Sequence, residues 1–258
     1  MGPRDENPVT APTAKTPAAI RREQRAWAAA SIQRYYRNHR RKPSELYPSE
    51  RFFLPEVLPR VDSCLDVGCA AGGFYPIMKS YNPRVRYTGV DINPDFVRAA
   101  RRRYPAARFV EGDGVRFDTP ANSHDLVHLS GVLHLNTGYA KMLKAAYRQA
   151  RRFVLTDFRL TRGPAVRGTF PLDPARPALP YLVLNLKRWL AELKALRPAP
   201  ARLVVRGYPH APATGAVVPL KSVIVAFVLI EKGSGRSRTR VDVDVDAAPP
   251  ADPAGRTS

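Results

Sequence analysis

The segment Cys64-Leu65-Asp66-Val67-Gly68-Cys69-Ala70-Ala71-Gly72-Gly73-Phe74 restricts the fold more than any other stretch of the chain. It passes from an apolar strand pattern through a bend of small residues into a helical pattern. Gly68 permits a sharp turn, and Ala70, Gly72 and Gly73 leave the backbone bare enough for a ligand to approach. In an open α/β sheet such a bend lies beyond the carboxyl end of its strand, where ligands bind.

The residues that follow keep this alternation. Short apolar runs at 63–67, 85–90, 108–110, 125–129 and 153–156 predict strands, and 73–80, 94–103 and 137–150 carry helical periodicity. Strands alternating with helices imply βαβ units, and hence a parallel sheet covered on both faces by right-handed crossovers. A proline-broken connection over 163–180 and a helix near 181–196 come next. Runs at 202–206 and 222–230 then predict a hairpin, which would close the sheet with an antiparallel edge.

With 258 residues, 44% of them hydrophobic, the chain suffices for one large domain with appendages. The expected division is a disordered N-terminal segment over 1–17, an N-terminal helix and lid region over 18–59, the α/β domain over 60–232 and a disordered C-terminal tail over 233–258. Residues 18–38 read as one helix, with Ile20, Trp27, Ser31 and Tyr35 roughly on one face. The Val-Asp alternation over 241–246 fits an edge strand or a solvated tail, and the polar composition favours the tail. Cys64 and Cys69 build neither a disulfide framework nor a zinc-ligand pattern. No apolar run approaches the roughly 20 residues of a membrane span, and the N-terminus lacks the apolar core of a secretory signal, so the cytoplasm is the expected compartment. The formal charge of +20 attracts phosphates and acidic partners, but the arginines are scattered rather than striped. The run from Arg34 to Lys42 interleaves tyrosines with cations; it suits RNA or a membrane surface, or an amphipathic helix capping the domain.

Three acids stand at successive strand ends: Asp66, Asp91 and Asp113. A glycine-rich bend alone also fits a dinucleotide. That fingerprint, however, needs glycine where Ala70 stands, and a carboxylate at Asp66 would repel a pyrophosphate while suiting a ligand with ammonium and sulfonium groups. Asp91, 23 residues after Gly68, can accept bonds from both hydroxyls of a ribose. Asp113 can accept the amino hydrogens of an adenine, or serve as a turn former.

In these motifs the chain resembles the class I S-adenosylmethionine-dependent methyltransferases. Asp66-Val67-Gly68-Cys69-Ala70-Ala71-Gly72 resembles their D-x-G-x-G-x-G loop and departs from it at Ala70. The resemblance covers about residues 60–160 and more loosely reaches 231. It implies a Rossmann-like, doubly wound, seven-stranded, mostly parallel sheet with an antiparallel C-terminal strand, and S-adenosyl-L-methionine as cofactor. By the same resemblance Asp66, Gly68 and the nearby backbone of Cys69, Ala70 and Gly72 would hold the methionine part, Asp91 the ribose and Asp113 the adenine, with Ile92 and Gly114 also at the cofactor. Ser130 lies in the fourth motif, beneath the methyl donor. The segment 44–53 resembles the family's lid, with Tyr47 and Arg51 as its candidates and Phe52 and Phe53 as packing residues.

Transfer would be an in-line displacement helped mainly by positioning and exclusion of water. Leu129-Ser130-Gly131 lacks the acidic metal ligand of the catechol-type enzymes, so no metal is expected. His134 is the candidate general base, with an ordinary pKa near ~6.5, or else a wall of the pocket. His128 reads as structural, His210 as a weak candidate, and Asp157 with Arg159 as acceptor-binding groups or a salt bridge. The expected acceptor is a small molecule, a sugar or secondary metabolite. RNA, favoured by the net charge, is the alternative, and a cofactor-binding partner without catalysis is a third reading.

Overall fold

The computed structural model describes residues 16–114, 117, 119–233 and 237–244. The described residues begin with two helices, α1 (Pro17–Trp27) and α2 (Ala30–Asn38), followed by α3 (Pro48–Val57). The alternating unit comprises β1 (Ser63–Val67), α4 (Phe74–Tyr81), β2 (Arg86–Asp91), α5 (Pro94–Arg103), β3 (Arg108–Glu111), β4 (His124–Leu129), α6 (Tyr139–Gln149) and β5 (Ala150–Thr161). The remaining elements are β6 (Val166–Phe170), β7 (Leu179–Asn185), α7 (Leu186–Lys194), β8 (Arg202–His210), β9 (Val223–Glu231) and β10 (Arg238–Asp242).

The main sheet runs β10-β8-β9-β5-β4-β1-β2-β3, with β7 joining at the far end of β5 and β6 pairing β7. Strands β1 to β5 are mutually parallel, and β9 lies antiparallel between β5 and β8. The strand order reverses at β1, which lies between β2 and β4, so the crevice beyond its carboxyl end is the switch point where ligands bind.

Strand β9 shows how the core is divided. Val223, Val225, Phe227 and Leu229 enter the apolar layer with α3 and α4, whereas Ile224, Ala226, Val228 and Ile230 enter the one with α6 and α7. A period of two assigns alternate residues to opposite faces, and a strand covered on both must be apolar throughout. Helix α5 matches its predicted bounds because its local signals agree. The Asn93 carboxamide accepts from the amides of Asp95 and Phe96, Pro94 starts the first turn, and three arginines fill the last.

Several expectations are corrected. The single helix expected over 18–38 is two, broken where Ala29 turns extended and packs into the core. Its start moves back to Pro17 because the Thr16 hydroxyl caps it, accepting from the Ala19 amide; residues 1–15 of the expected disordered segment lie outside the described residues. Among the described residues the sheet has ten strands rather than seven. The 163–180 connection contains β6, and the apolar run Tyr181–Leu184, expected to be helical, completes β7. There the ladders to β5 and β6 outweigh helical periodicity, and the helix waits for Asn185, whose carboxamide accepts from the Arg188 amide.

The tail expected over 233–258 also contains structure. Residues 238–242 form β10, parallel to β8, and Val243 is buried in the second apolar layer. Residues 234–236 and 245–258 lie outside the described residues. Val243→Ala should therefore lower unfolding free energy by about 1.5–2.5 kcal/mol in denaturant titration, since two methyls leave a packed site. A free tail would leave the midpoint unchanged.

Candidate functional site

The carboxyl ends of β1, β2, β3 and β4 meet at a cleft of about 650 Å³. Gly68 makes the first turn at φ 78°, and the amides of Gly68 and Cys69 both donate to the Val90 carbonyl, at 2.7 and 3.0 Å. A side chain at Gly68 would lie 2.3 Å from Val132, so the turn and the β4 loop touch backbone to side chain. Ala70 then takes a left-handed conformation, φ 45°, which costs an L-residue roughly 1–2 kcal/mol. In that conformation its amide donates to Asp91 Oδ2 at 2.8 Å, while Asn93 donates to Oδ1 at 2.8 Å.

Asp91 is thus pinned at the tip of β2 with its carboxylate on the cleft wall. Burial pushes its pKa up to about 6, against the pull of the two backbone donors. A carboxylate offers about four lone-pair positions, so roughly half of its capacity is left for a ligand. Asp113 and Gly114, after β3, line the opposite side, and Ser130, Gly131 and Val132 close the floor after β4.

The N-terminal helices roof this cleft. Trp27 and Tyr36 contact each other edge-on, and Tyr36 meets Phe96 of α5 the same way, giving the cleft an aromatic wall. The Gln24 carboxamide donates to the Ile92 carbonyl at 3.0 Å. A buried latch holds the roof to the floor. Arg40 pairs with the fully buried Glu50, which also accepts from the Ser130 hydroxyl at 2.7 Å and the Tyr47 amide at 2.9 Å. The Arg40 guanidinium lies over the rings of Tyr47 and Phe74, at 4.7 and 5.0 Å. Of the basic and aromatic run of the sequence, Tyr36 and Arg40 are thus turned inward, while Arg34 and Lys42 stay exposed.

Of the residues expected at the site, Gly68, Ala70, Asp91, Ile92, Asp113, Gly114 and Ser130 line the cleft together. Asp66, Cys69, Gly72 and His134 do not. Asp66 is turned into the core, accepting from the Tyr87 hydroxyl at 2.5 Å and bonded to His128 Nδ1 at 2.7 Å. His128 is structural, as expected, and packs on Phe74. Cys69 lies beneath β2 against Gly89, burial holding its thiol well above the usual range, and Gly72 packs on Phe109 and Tyr104.

His134 is 4% exposed, between Phe158 and Tyr181. Burial, with Arg159 nearby, lowers its pKa to about 3, so it is neutral and weakly basic rather than a base of ordinary pKa. Asp157 and Arg159 form a buried salt bridge at 2.7 Å, and the Gly131 amide donates to Asp157 at 2.6 Å. His210 is exposed and faces its own loop carbonyl. Tyr47 belongs to the latch, whereas Arg51 is exposed and bonds the Ser44 carbonyl. Phe53 is buried and Phe52 is exposed under the Arg206 guanidinium. The sequence reading did not reach Glu23, Trp27 and Tyr36 in the roof, or Leu135, Asn136 and Met142 in the wall. Their apolar and polar spacing matches ordinary core and surface positions, so no local signal marks them.

Residues 64–153 match the family described as "Methyltransferase domain". Over this segment the chain is similar to S-adenosylmethionine-dependent methyltransferases, and its fold is theirs. Trans-aconitate 2-methyltransferase of Enterobacter sp. (strain 638) is 33% identical to this chain over 86 residues, 33% of this chain and 34% of that protein. The chain spans about a third of the length of the first relatives it matches. The enzyme of the same name from Methylobacterium radiotolerans is 24% identical over 205 residues, 74% of this chain and 76% of its own. Among solved structures, 1,6-didemethyltoxoflavin-N1-methyltransferase of Burkholderia thailandensis has the same fold at 16% identity, with a TM-score of 0.56 over 86% of this chain and 93% of that one. A methyltransferase of Methanosarcina mazei, 17% identical, gives 0.54 over 72% and 98%.

Gly68→Ala should cost the protein about 2–4 kcal/mol, combining a left-handed alanine with the Val132 overlap. Ala70→Gly should shift stability by less than about 1 kcal/mol, in the stabilising direction, because relief of strain is partly offset by unfolded-chain entropy. Denaturant titration of both variants checks the pair.

Proposed function

We propose that the protein transfers a methyl group from S-adenosylmethionine to a small-molecule acceptor. The observation that carries this reading is Asp91, buried on the cleft wall with two backbone donors fixed and lone pairs left over. The residues present fit the cofactor. Asp91 would take the ribose hydroxyls, Asp113 the adenine amino group, and the aromatic wall of Tyr36 and Phe96 the adenine face. The side-chain-poor turn at Gly68 and Ala70 would leave room for the methionine arm.

When bound, S-adenosylmethionine supplies a methyl group already activated by its sulfonium. The chain's part is to bind, orient and keep water out. The roof of α1 and α2, held by the Arg40–Glu50–Ser130 latch, encloses the cleft, and exclusion of water strengthens every polar contact inside it. No lining residue after β4 is an ordinary base, and His134 lies behind the wall.

Support for a small acceptor comes from relatives. The Burkholderia thailandensis enzyme holds 1,6-didemethyltoxoflavin with S-adenosylhomocysteine, and the EvdMO1 N-terminal domain, TM-score 0.54, was solved in the presence of S-adenosylhomocysteine and D-fucose.

Titration calorimetry with S-adenosylhomocysteine tests the cofactor. Asp91→Ala should weaken binding by about 1–3 kcal/mol, and unchanged affinity removes Asp91 from the site. The pH dependence has a definite sign. Below about pH 6 Asp91 is protonated and loses its charge as an acceptor, so wild-type affinity should rise from pH 5 to 7 and then level off, while the alanine variant stays flat. His134→Phe should hold methyl transfer within about tenfold of wild type, whereas loss of a general base costs on the order of 10²–10⁴. Labelled methyl donor added to fractionated cell extract should mark small molecules. Label confined to RNA or protein would overturn the acceptor class.

A further inference from the structure

Along the sequence the arginines are scattered, but the fold gathers a one-signed subset of them. Residues 24–44 contain five arginines, one lysine and no acid, and residues 96–110 contain five arginines and no acid. The first segment holds the end of α1, all of α2 and the connection to α3; the second holds most of α5 and the start of β3. Packing sets the two side by side. Tyr36 of α2 meets Phe96 of α5 edge-on with ring centroids 5.7 Å apart, and the Arg103 guanidinium donates to the Arg37 carbonyl. We infer that the outer face of α2 and α5 docks single-stranded RNA through its phosphates, on a surface separate from the cofactor cleft.

Most of this charge is left open to solvent. Arg25, Arg34, Lys42, Arg101, Arg102 and Arg103 are exposed, and none of them forms an ion pair among the described residues. Two other members are neutralised, Arg40 by Glu50 in the interior and Arg98 by Asp95 at the start of its own helix. The backbone dipoles leave about half a negative unit charge at the end of α5, far less than the three arginines of its last turn supply. A one-signed surface raises the local potential, and each phosphate it meets releases a condensed counterion.

The same sign continues over the roof. Arg21, Arg22 and Arg25 of α1 are exposed, whereas Glu23, the acid of that helix, lines the cleft inside. Arg22 also stands with Arg167 of β6 on the walls of a groove of about 840 Å³ beside the cleft.

Two features favour RNA over a lipid surface. The large hydrophobic side chains exposed among the described residues are Phe52, Val217 and Val241, and none belongs to α1, α2 or α5. This face therefore has no apolar wedge with which to enter a bilayer. Next to Arg34, Tyr35 and His39 stack at 4.6 Å with their planes 15° apart, both half-buried. Rings interleaved with cations suit unpaired bases, which stack on aromatic faces while the guanidinium groups take the phosphates. RNA presents such bases in its loops and ends. The inner face of α2 carries Tyr36 into the cofactor cleft, so the two faces of one helix would serve two ligands. The inference concerns docking alone and is independent of what accepts the methyl group.

Fluorescence anisotropy with a labelled single-stranded RNA of about 20 nucleotides tests this face. The wild-type protein should bind saturably, with log affinity falling by roughly 2–4 per tenfold rise in salt, as ~3–6 phosphate contacts require. Arg34→Glu combined with Arg102→Glu should weaken RNA at least about tenfold and flatten the salt slope, with S-adenosylhomocysteine affinity within about twofold of wild type. Arg238→Glu combined with Arg240→Glu changes the net charge equally on β10, at the edge of the sheet far from β2 and β3. That control should keep RNA affinity within about threefold of wild type. Equal losses in the two double variants reduce the effect to diffuse charge and overturn the inference, as does absence of saturable RNA binding. Co-sedimentation with equimolar phosphatidylcholine–phosphatidylserine vesicles, lost in the α2–α5 variant while its RNA affinity is kept, assigns the face to a membrane and overturns it too.

Discussion

The carboxylate of Asp91 ties together parts of the chain that local forces alone would not bring into register. One oxygen takes the amide of Ala70, the other the amide of Asn93. The first bond depends on Ala70 adopting a left-handed backbone, and the second places the residue that caps α5. The turn after β1, the tip of β2 and the start of α5 are thereby fixed by a single side chain. The arrangement is costly without ligand: burial holds the acid well above its usual range, and two neutral donors do not fully replace water.

A second buried charge serves the opposite purpose. Glu50 is fully enclosed and satisfied by Arg40, Ser130 and the Tyr47 amide. Leaving one member of such a pair alone in the interior is strongly unfavourable, which makes the docking of the N-terminal segment specific to the Ser130 loop. The roof therefore closes in one position, with Trp27 and Tyr36 against the cleft. Part of the large positive charge of the chain is spent in this way, inside the fold, and part is left on the rim of the neighbouring groove.

The core at the switch point contains a third polar group. Asp66, the acid of the glycine-rich motif, is bonded to Tyr87 and His128 on the two flanking strands, β2 and β4. All three side chains are buried. These buried hydrogen bonds lock strand neighbours against one another at the strand whose tip carries the glycine-rich turn, although His128 Nε2 has no partner among the described residues. The motif acid lies beneath the turn after β1 and does not line the cleft.

The sequence by itself determined the α/β alternation, the position of the switch point and the acids Asp91 and Asp113, because each is encoded locally. Glycine spacing, strand-end carboxylates and the capped helix over 94–103 act within a few residues of themselves. It left β6, β7 and β10 unread because their strands are stabilised by distant ladders, and a run such as Tyr181–Leu184 satisfies either periodicity until its neighbours arrive. Only the tertiary structure decided that Asp66 and His134 turn inward, that Tyr36 and Trp27 wall the cleft, and that Arg22 meets Arg167 across a groove. Each of these depends on the direction of a side chain relative to elements far away in sequence, and the burial of a charge or ring is a property of the assembled packing rather than of the segment that carries it.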